Sequence, residues 1–517
     1  MLCQYLNSIY VRIRNSKAEG WTVTRIQEKY IKQYADMLYL KKFEIFNIKE
    51  GCVRHMADET KIQLFEQKPV PAAVVKLAVP TVISSLVMVI YNLSDTFFVG
   101  MVNDPIQNAA VTLAAPVLLA FNAVNNLFGV GSSSMMSRAL GKKDYDTVAR
   151  SSAFGFYCAL LCGILFSAVY TGGSSLFLKL LGTDAETVAA TVEYLKWTVS
   201  FGAVPAILNV VMAYLVRSEG ATLHASIGTM SGCLLNIVLD PIFILPWGLD
   251  MGAAGAGFAT FLSNCFACLY FFVFLFVKKK STSVCIRPSM FGFRKKILLG
   301  VCGVGIPAAI QNILNVTGMT ILNNFTSGYG SDVVAAMGIA QKINMVPLYI
   351  ALGLSQGIMP LVSYNYASGN GRRMKEAVLF SVKISAVFMA ATTLVYYMGA
   401  DFWTSLFMKN EEIVAYGGRF LQGLSLSLPF LAIDFLAVGV FQACGMGSWA
   451  FVFAILRKIV FEIPALYILD MLFPLYGLTY AQFTAELILA AVAVLALARI
   501  FKKMPGGVSV EGKGDSV

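Results

Sequence analysis

Twelve long apolar stretches, separated by short polar loops, constrain this chain more than any other feature of its sequence. They lie at roughly 71–99, 109–137, 148–170, 189–216, 222–246, 252–277, 297–323, 333–362, 374–398, 413–440, 447–471 and 475–500, and we number them spans 1 to 12. A stretch of more than about 18 apolar residues predicts a membrane-spanning helix, because a helix satisfies its backbone hydrogen bonds without water. The pattern therefore predicts an all-α polytopic membrane protein with twelve transmembrane helices.

Composition supports this class and argues against several others. Of the 517 residues, 57% are hydrophobic and 13% are charged, whereas a soluble protein carries about 25% charged residues. The net charge of +11 comes from positive charges clustered in short loops, so it indicates membrane topology and not nucleic-acid binding. The ten cysteines and two histidines are not spaced as metal ligands, and several cysteines are interpreted as small buried hydrophobic residues. No nucleophile–base set occurs, so we predict no catalytic residue, no metal and no enzyme activity.

The charged loops predict the orientation of the chain in the membrane. Basic residues gather in the loops after spans 2, 6 and 8 and in the tail: Arg138, Lys142, Lys143, Lys278, Lys279, Lys280, Arg287, Arg294, Lys295, Lys296, Arg372, Arg373, Lys375, Lys502 and Lys503. Loops after odd-numbered spans carry acids instead: Asp104, Asp184, Glu186, Asp250, Asp332, Glu411 and Glu412. Because positively charged loops stay in the cytoplasm, we predict that both termini are cytoplasmic.

The two halves of the chain repeat each other. A shift of 226 residues places Gly131 on Gly357 and Ser137 on Ser363. Each half contains six spans, so both halves have the same orientation, which predicts two six-helix lobes related by a parallel internal repeat. Chains of this kind place a substrate site between the lobes and expose it alternately to the two sides of the membrane.

Five segments follow from this division. They are a basic N-terminal extension at 1–57 outside the transporter core, an N-terminal lobe at 58–277, a cytoplasmic linker at 278–296, a C-terminal lobe at 297–503 and a flexible tail at 504–517. Residues 1–55 hold ten Lys and Arg against five Asp and Glu, and no apolar run long enough to span. They are either dispensable, as an extension or an upstream translation artefact, or a membrane-surface helix on the cytoplasmic face.

Two carboxylates inside the N-terminal lobe are the main candidates for function. Asp95 closes span 1, and Asp240 lies in span 5 four residues after Asn236, which puts these two on one helix face. At a rise of 1.5 Å per residue, Asp95, Asp240 and Thr260 of span 6 all fall roughly 8–12 Å from the same ends of their spans. Ionisable groups are costly inside a membrane and usually mark a functional site. We predict a cation-binding site here; the alternative for Asp95 is a polar group at a helix end.

Three further features complete the set of candidates. Pro241 removes a backbone donor directly after Asp240 and weakens the helix there. The C-terminal lobe lacks the carboxylate set, since the residue that matches Asp95 is Leu322. Its acids are Asp434, Glu462 and Glu486. Asp434 is a candidate for a cavity site, and Glu462 is either functional or paired with Arg457 or Lys458.

These residues resemble the multidrug and toxic compound extrusion (MATE) family. The resemblance rests on Tyr91-Asn92-Leu93-Ser94-Asp95-Thr96-Phe97-Phe98-Val99-Gly100, Ser137-Arg138-Ala139-Leu140-Gly141 and Asn236-Ile237-Val238-Leu239-Asp240-Pro241. It covers roughly 58–503 and also includes Leu77-Ala78-Val79-Pro80 and the stretch 252–260. The chain is most similar to the bacterial branch that has its cation site in the N-terminal lobe.

The resemblance implies roles for particular residues. In that branch, the residues matching Asp95, Asn236, Asp240 and Thr260 form the proton or sodium site, and the proline matching Pro80 marks a bend in the first helix. Asp434 resembles an acid that some members use in the C-terminal lobe. The glutamate that partners it in those members is absent here, where Gln311 and Asn312 are the nearby polar groups.

The resulting hypothesis is a multi-pass antiporter of the bacterial cytoplasmic membrane. It would act as a monomer among membrane lipids, without a cofactor, and export amphipathic, often cationic organic compounds in exchange for Na⁺ or H⁺. One alternative is a lipid-linked oligosaccharide flippase of the same superfamily, which usually has a strongly cationic cavity. Another is a non-transporting membrane scaffold, which would leave Asp95 and Asp240 unexplained.

Overall fold

The computed structural model describes residues 59–504. The predicted extension at 1–57 and the predicted tail, apart from Met504, lie outside the described residues. Within 59–504 the chain is helical, and we label the helices that form the twelve spans α1 to α12.

The helices follow one another with short connections. Their bounds are α1 Val70–Met101, α2 Pro105–Gly141, α3 Tyr145–Leu181, α4 Val188–Phe201 with Ala203–Ser218, α5 Thr222–Ile244, α6 Gly252–Val277, α7 Lys295–Ser327, α8 Ser331–Ala367, α9 Gly371–Met398, α10 Glu411–Ser425 with Leu428–Ala443, α11 Gly447–Ile455 with Leu456–Glu462 and Ile463–Leu472, and α12 Gly477–Lys503. A short helix, Glu59–Glu66, precedes α1, and another, Ala400–Ser405, follows α9. A single 3₁₀ turn, Pro288–Met290, lies between α6 and α7.

Twelve spans agree with the prediction, although several of them are irregular. Nine helices of the described chain are long and apolar enough to cross a membrane by themselves, while α4 and α10 are bent by 50° and 46°. In α10 the bend precedes Pro429, which has no N–H for the Ser425 carbonyl; the Thr393 hydroxyl donates to that carbonyl instead, at 2.8 Å. Three of the described spans contain a π-helical turn: α2 at Asn126–Val130, α4 at Lys196–Phe201 and α11 at Leu456–Glu462. The turn in α11 carries buried charges.

The predicted spans match the helices to within a few residues at most ends. The exception is span 3, predicted to end near 170, since α3 continues to Leu181. Gly173 has non-helical backbone angles there, so the helix is kinked but continues. A glycine pair inside an apolar run therefore marked a kink and not an end.

The internal repeat is visible in matching hydrogen bonds. The Ser137 hydroxyl at the end of α2 donates to the Ser218 carbonyl at the end of α4, at 2.7 Å. The Ser363 hydroxyl at the end of α8 donates to the Ala443 carbonyl at the end of α10, at 2.8 Å. Ser137 and Ser363 are the pair that the sequence shift superposed, so α1–α6 and α7–α12 share one scaffold.

The two lobes are in close contact at one end, where α2 and α8 finish. A Cβ added at Gly141 would lie 3.1 Å from the Ala367 Cβ, and one at Gly357 would lie 2.7 Å from the Ala78 Cα. Gly305 approaches the Leu127 carbonyl in the same way. Small residues allow such close approach between membrane helices. We call this the closed end.

Candidate functional site

The predicted site residues of the N-terminal lobe lie together. Helix α1 contributes Asp95, α5 contributes Asn236 and Asp240, and α6 contributes Thr260. Two tyrosines that the sequence analysis did not single out complete the group. We call it the N-lobe polar cluster: Tyr91, Asp95, Tyr194, Asn236, Asp240 and Thr260. Helices α1, α4, α5 and α6 supply it, so all of it lies in one lobe.

Asn236 links α5 to α6. Its side chain is 1% exposed and that of Asp240 is 0% exposed. With its amide oriented to satisfy both neighbours, Asn236 donates to Asp240 Oδ2 at 2.9 Å and accepts from the Thr260 backbone N–H at 3.1 Å. A buried amide that is paired on both sides holds its neighbours in position. One oxygen of the Asp240 carboxyl is therefore fixed by hydrogen bonding, inside the lobe.

Asp95 faces the same region from α1. It is half-buried and lies near Asp240 and Tyr194. Tyr91, one helical turn before Asp95, directs its hydroxyl at the Thr260 side chain. Within residues 63–504, no salt bridge joins Asp95 or Asp240 to a Lys or Arg. Two carboxyl groups near each other in a membrane, without a built-in cation, favour binding of a proton or a small cation.

The prolines named in the sequence analysis lie inside continuous helices. Pro80 is in α1 and Pro241 is in α5. Pro80 has no N–H for the carbonyl of Lys76, and the Thr222 hydroxyl of α5 lies 3.5 Å from that carbonyl. The weakened turn of α1 thus contacts the helix that carries Asp240. The predicted role of Pro80 and Pro241 as bends remains a prediction.

The C-terminal lobe has a different arrangement, the C-lobe charged cluster: Asp434, Arg457, Lys458, Glu462 and Glu486. All five side chains are buried. Arg457 Nε donates to Glu486 Oε1 at 2.7 Å, and Lys458 Nζ donates to Glu462 Oε1 at 2.6 Å. Of the two partners considered for Glu462, Lys458 is therefore the one in contact. This ion pairing gives Glu462 a structural role.

Asp434 sits beside the Arg457–Glu486 pair. It is 1% exposed, and its carboxyl faces that of Glu486. Gln311 lies elsewhere, accepting at 3.3 Å from the Gln442 amide of α10. Asn312 is partly exposed on α7. In the part of the chain that the structure describes, no hydrogen bond joins Asp434 to Gln311 or Asn312.

Sequence reasoning missed two kinds of residue. Tyr91 could have been found, because it lies four residues before Asp95 and hence on the same helix face. Tyr194 lies on another helix, and its position depends on how α4 packs. The Arg457–Glu486 pair joins α11 to α12. The sequence could have indicated this pair, because it places opposite charges at similar depth in two adjacent apolar spans.

Comparison with known proteins gives a consistent result. The family model described as MatE matches residues 80–242 and 307–468, one segment in each lobe. The chain is 33% identical over 442 residues to the multidrug export protein MepA of Staphylococcus aureus (strain MRSA252), covering 85% of this chain and 96% of that protein. The MepA of Staphylococcus saprophyticus is similar to the same extent.

Solved structures agree with the fold. An outward-facing multidrug resistance MATE family transporter of the MOP superfamily superposes with a TM-score of 0.80 at 26% identity, covering 86% of this chain and 98% of that one. A MOP superfamily transporter from Pyrococcus furiosus, whose binding pocket is described as having reverse polarity, gives a TM-score of 0.79 with the same identity and coverage.

Proposed function

Since this chain belongs to the MATE family, we propose that it exports amphipathic, often cationic drugs or toxic organic compounds in exchange for Na⁺ or H⁺ across the bacterial cytoplasmic membrane. The observation that carries the coupling is the N-lobe polar cluster, where Asp95 and Asp240 lie together in a membrane without a lysine or arginine partner among the described residues. Two such carboxylates carry negative charge that no side chain within the described residues compensates, so a proton or cation from solution can bind there.

The oxygen ligands available there suit a proton or a hard cation. Two carboxyls, the Asn236 amide and the hydroxyls of Tyr91 and Thr260 supply oxygen atoms only, which hard cations prefer. Cation binding would bring Asp95 of α1 toward Asp240 of α5. Because α1 also packs on α8 of the other lobe, a movement of α1 would change how the lobes meet and shift the access equilibrium.

The orientation of the chain completes the proposal. The basic loops after spans 2 and 8 lie at the closed end, and the positive-inside rule makes this end cytoplasmic. In this orientation the lobes meet on the cytoplasmic side, as expected for the outward-facing state of an alternating-access transporter. From this state the drug leaves and the coupling ion enters, and both termini are cytoplasmic.

Inverted vesicles test the proposal directly. Uptake of ethidium would be followed with Na⁺ concentrated in the lumen at uniform pH, and separately with an acidic lumen without Na⁺. We expect one gradient to drive uptake in the wild type and neither to do so in Asp95→Asn or Asp240→Asn. Because both residues serve one site, the double variant should be no worse than either single one.

A matched control is Asp332→Asn, which makes the same chemical change at an exposed position where α8 begins. It should transport like the wild type. Ethidium export by Asp95→Asn at the normal rate with normal ion dependence would refute the role of the cluster. No export of any drug by the wild type would refute the proposed function itself.

A further inference from the structure

The segment that leads into α1 contacts both lobes at the closed end. It consists of the short helix Glu59–Glu66 and the turn through Pro69. Leu64 and Phe65 are 6% and 2% exposed, although they belong to a short surface helix. A helix of eight residues has little stability of its own, so its position depends on what these side chains contact.

On the N-lobe side, Phe65 packs against the loop between α4 and α5. Gly220 in this loop has a φ of +86°, and a Cβ there would lie 2.8 Å from Phe65 Cζ and 3.5 Å from Leu64 Cδ2. Only glycine combines this backbone conformation with so close an approach. The loop is thus shaped to receive the aromatic ring.

On the C-lobe side, the same residues contact the end of α8. The Phe65 ring stacks on the Tyr364 ring, with centroids 4.8 Å apart and an interplanar angle of 20°. The Tyr364 hydroxyl donates to Glu66 Oε1 at 2.6 Å. The Asn365 amide donates to the Phe65 carbonyl at 3.3 Å. Phe65 therefore lies between Gly220 of one lobe and Tyr364 of the other.

Arg373, at the start of α9, completes the contact. Its Nε donates to the Phe65 carbonyl at 2.6 Å, and its Nη2 donates to the carbonyls of Leu64, at 3.4 Å, and Lys68. The last carbonyls of a helix have no partner within the helix, and a cation there also suits the helix dipole. One guanidinium of the C-terminal lobe thus caps a helix whose chain continues into the N-terminal lobe.

We propose that residues 64–68 and Arg373 form an interlobe latch that holds the closed end shut. Separating α8 from α2 at this end would pull Tyr364 and Arg373 away from Phe65 and expose the ring to water. The latch thereby favours the state seen here over the state in which this end is open. This role rests on the proposed transport function, because only a protein that alternates between the two states needs such a contact.

The chain offers a matched control beside Arg373. Arg372 has the same charge, lies in the same turn and pairs at the surface with Glu376 at 3.1 Å, with 83% of its own side chain exposed. Arg372→Ala and Arg373→Ala therefore remove the same charge from the same place, and only Arg373→Ala breaks the latch.

Spin labels report the state of the closed end directly. They would be placed at Lys142 and Ser368, on the exposed loops after α2 and α8, using a ketone-bearing unnatural amino acid that leaves the ten native cysteines intact. Pulsed electron–electron double resonance in lipid nanodiscs, without drug or ion gradient, then measures the distance between the two labels. The distance distribution gives the ratio of molecules with separated lobes to molecules with closed lobes at this end. A second pair at Lys142 and Lys278, which directly follow α2 and α6 of the same lobe, should keep its distance in every variant.

We expect Arg373→Ala to raise this ratio at least roughly tenfold, because it removes three hydrogen bonds from a charged donor and one such bond alone is worth about that much. Arg372→Ala should stay within about twofold of the wild type, a limit set by the small worth of exposed ion pairs. Tyr364→Phe removes only the bond to Glu66 and should raise the ratio roughly threefold, the effect of losing one modest hydrogen bond. This variant decides the question if Arg373→Ala does not fold.

An unchanged ratio in Arg373→Ala, or in Tyr364→Phe where only that variant folds, would overturn the latch. A change in the one-lobe distance would show local unfolding and would overturn it as well. The distances are measured without transport, so they stand apart from the ethidium result. A shift of the ratio in a protein that exports no drug would retain the latch and reject the proposed function.

Discussion

The two lobes share one scaffold but treat buried charge in opposite ways. In the N-terminal lobe, Asp95 and Asp240 lie near each other among neutral polar groups, with no Lys or Arg salt bridge among the described residues. In the C-terminal lobe, Glu486 and Glu462 are each bonded to a cation of α11, at 2.7 Å and 2.6 Å. The buried acids of the N-terminal lobe are thus free to bind a cation, whereas most of those in the C-terminal lobe are neutralised by ion pairs.

The difference follows from the cost of placing charge in a membrane. A buried ion pair must offset the loss of water around both partners, and it does so only when the contact is close. The C-lobe charged cluster meets this condition with its own cations, so it needs nothing from solution. The N-lobe polar cluster does not meet it, which is why we assign ion exchange to that lobe.

The largest effect is expected when the C-lobe charged cluster loses its cation. Arg457→Met leaves Glu486 and Asp434 buried without a positive partner, and breaking a buried pair in this way costs about 3–5 kcal/mol. Unfolding in mixed micelles should show this loss. Arg499→Ala, on the exposed face of α12, is the control and should change the free energy of unfolding by less than about 0.5 kcal/mol.

The same variant can be rescued if charge is the cause. Arg457→Met combined with Glu486→Gln removes both members of the pair, and replacing a whole buried pair is often nearly neutral. The double variant should therefore recover most of the stability that the single one loses. A double variant as unstable as Arg457→Met would show that Arg457 acts through packing, for instance through its 4.8 Å contact with the Phe435 ring.

A smaller effect on stability is expected in the N-lobe polar cluster. Asn at position 240 can still accept the hydrogen bond from Asn236, so Asp240→Asn should change the free energy of unfolding by less than about 1 kcal/mol. Ion-driven transport should nevertheless be lost. A loss of stability as large as that of Arg457→Met would remove the distinction between the two clusters.

Much of this architecture follows from the sequence, for identifiable reasons. Each span is a local feature, and its ends depend on the length of an apolar run. The repeat is detectable because Ser137 and Ser363 donate equivalent hydrogen bonds in the two lobes. The grouping of Asp95, Asp240 and Thr260 followed from their similar depths and from the family resemblance.

Other features depend on packing that no local pattern records. Which face α11 turns toward α12 decides whether Arg457 meets Glu486, and the sequence does not fix that rotation. Glu462 had two candidate partners for the same reason. The latch joins Phe65 to Arg373 across 308 residues, and neither residue stands out in its own segment.

The smallest expected effect concerns a hydrogen bond that both lobes share. Ser137 and Ser363 are 1% and 0% exposed, and each donates one hydrogen bond, at 2.7 Å and 2.8 Å, to the end of the helix two spans later. Replacing either by alanine leaves one buried carbonyl without this donor, which costs about 1 kcal/mol. Since the contacts are equivalent, Ser137→Ala and Ser363→Ala should lower the free energy of unfolding equally, within about 0.5 kcal/mol, the usual limit for independent sites. Ser327→Ala, whose hydroxyl bonds only within its own exposed turn, serves as the reference. Unequal losses would mean that the lobes differ in their scaffold as well as in their buried charges.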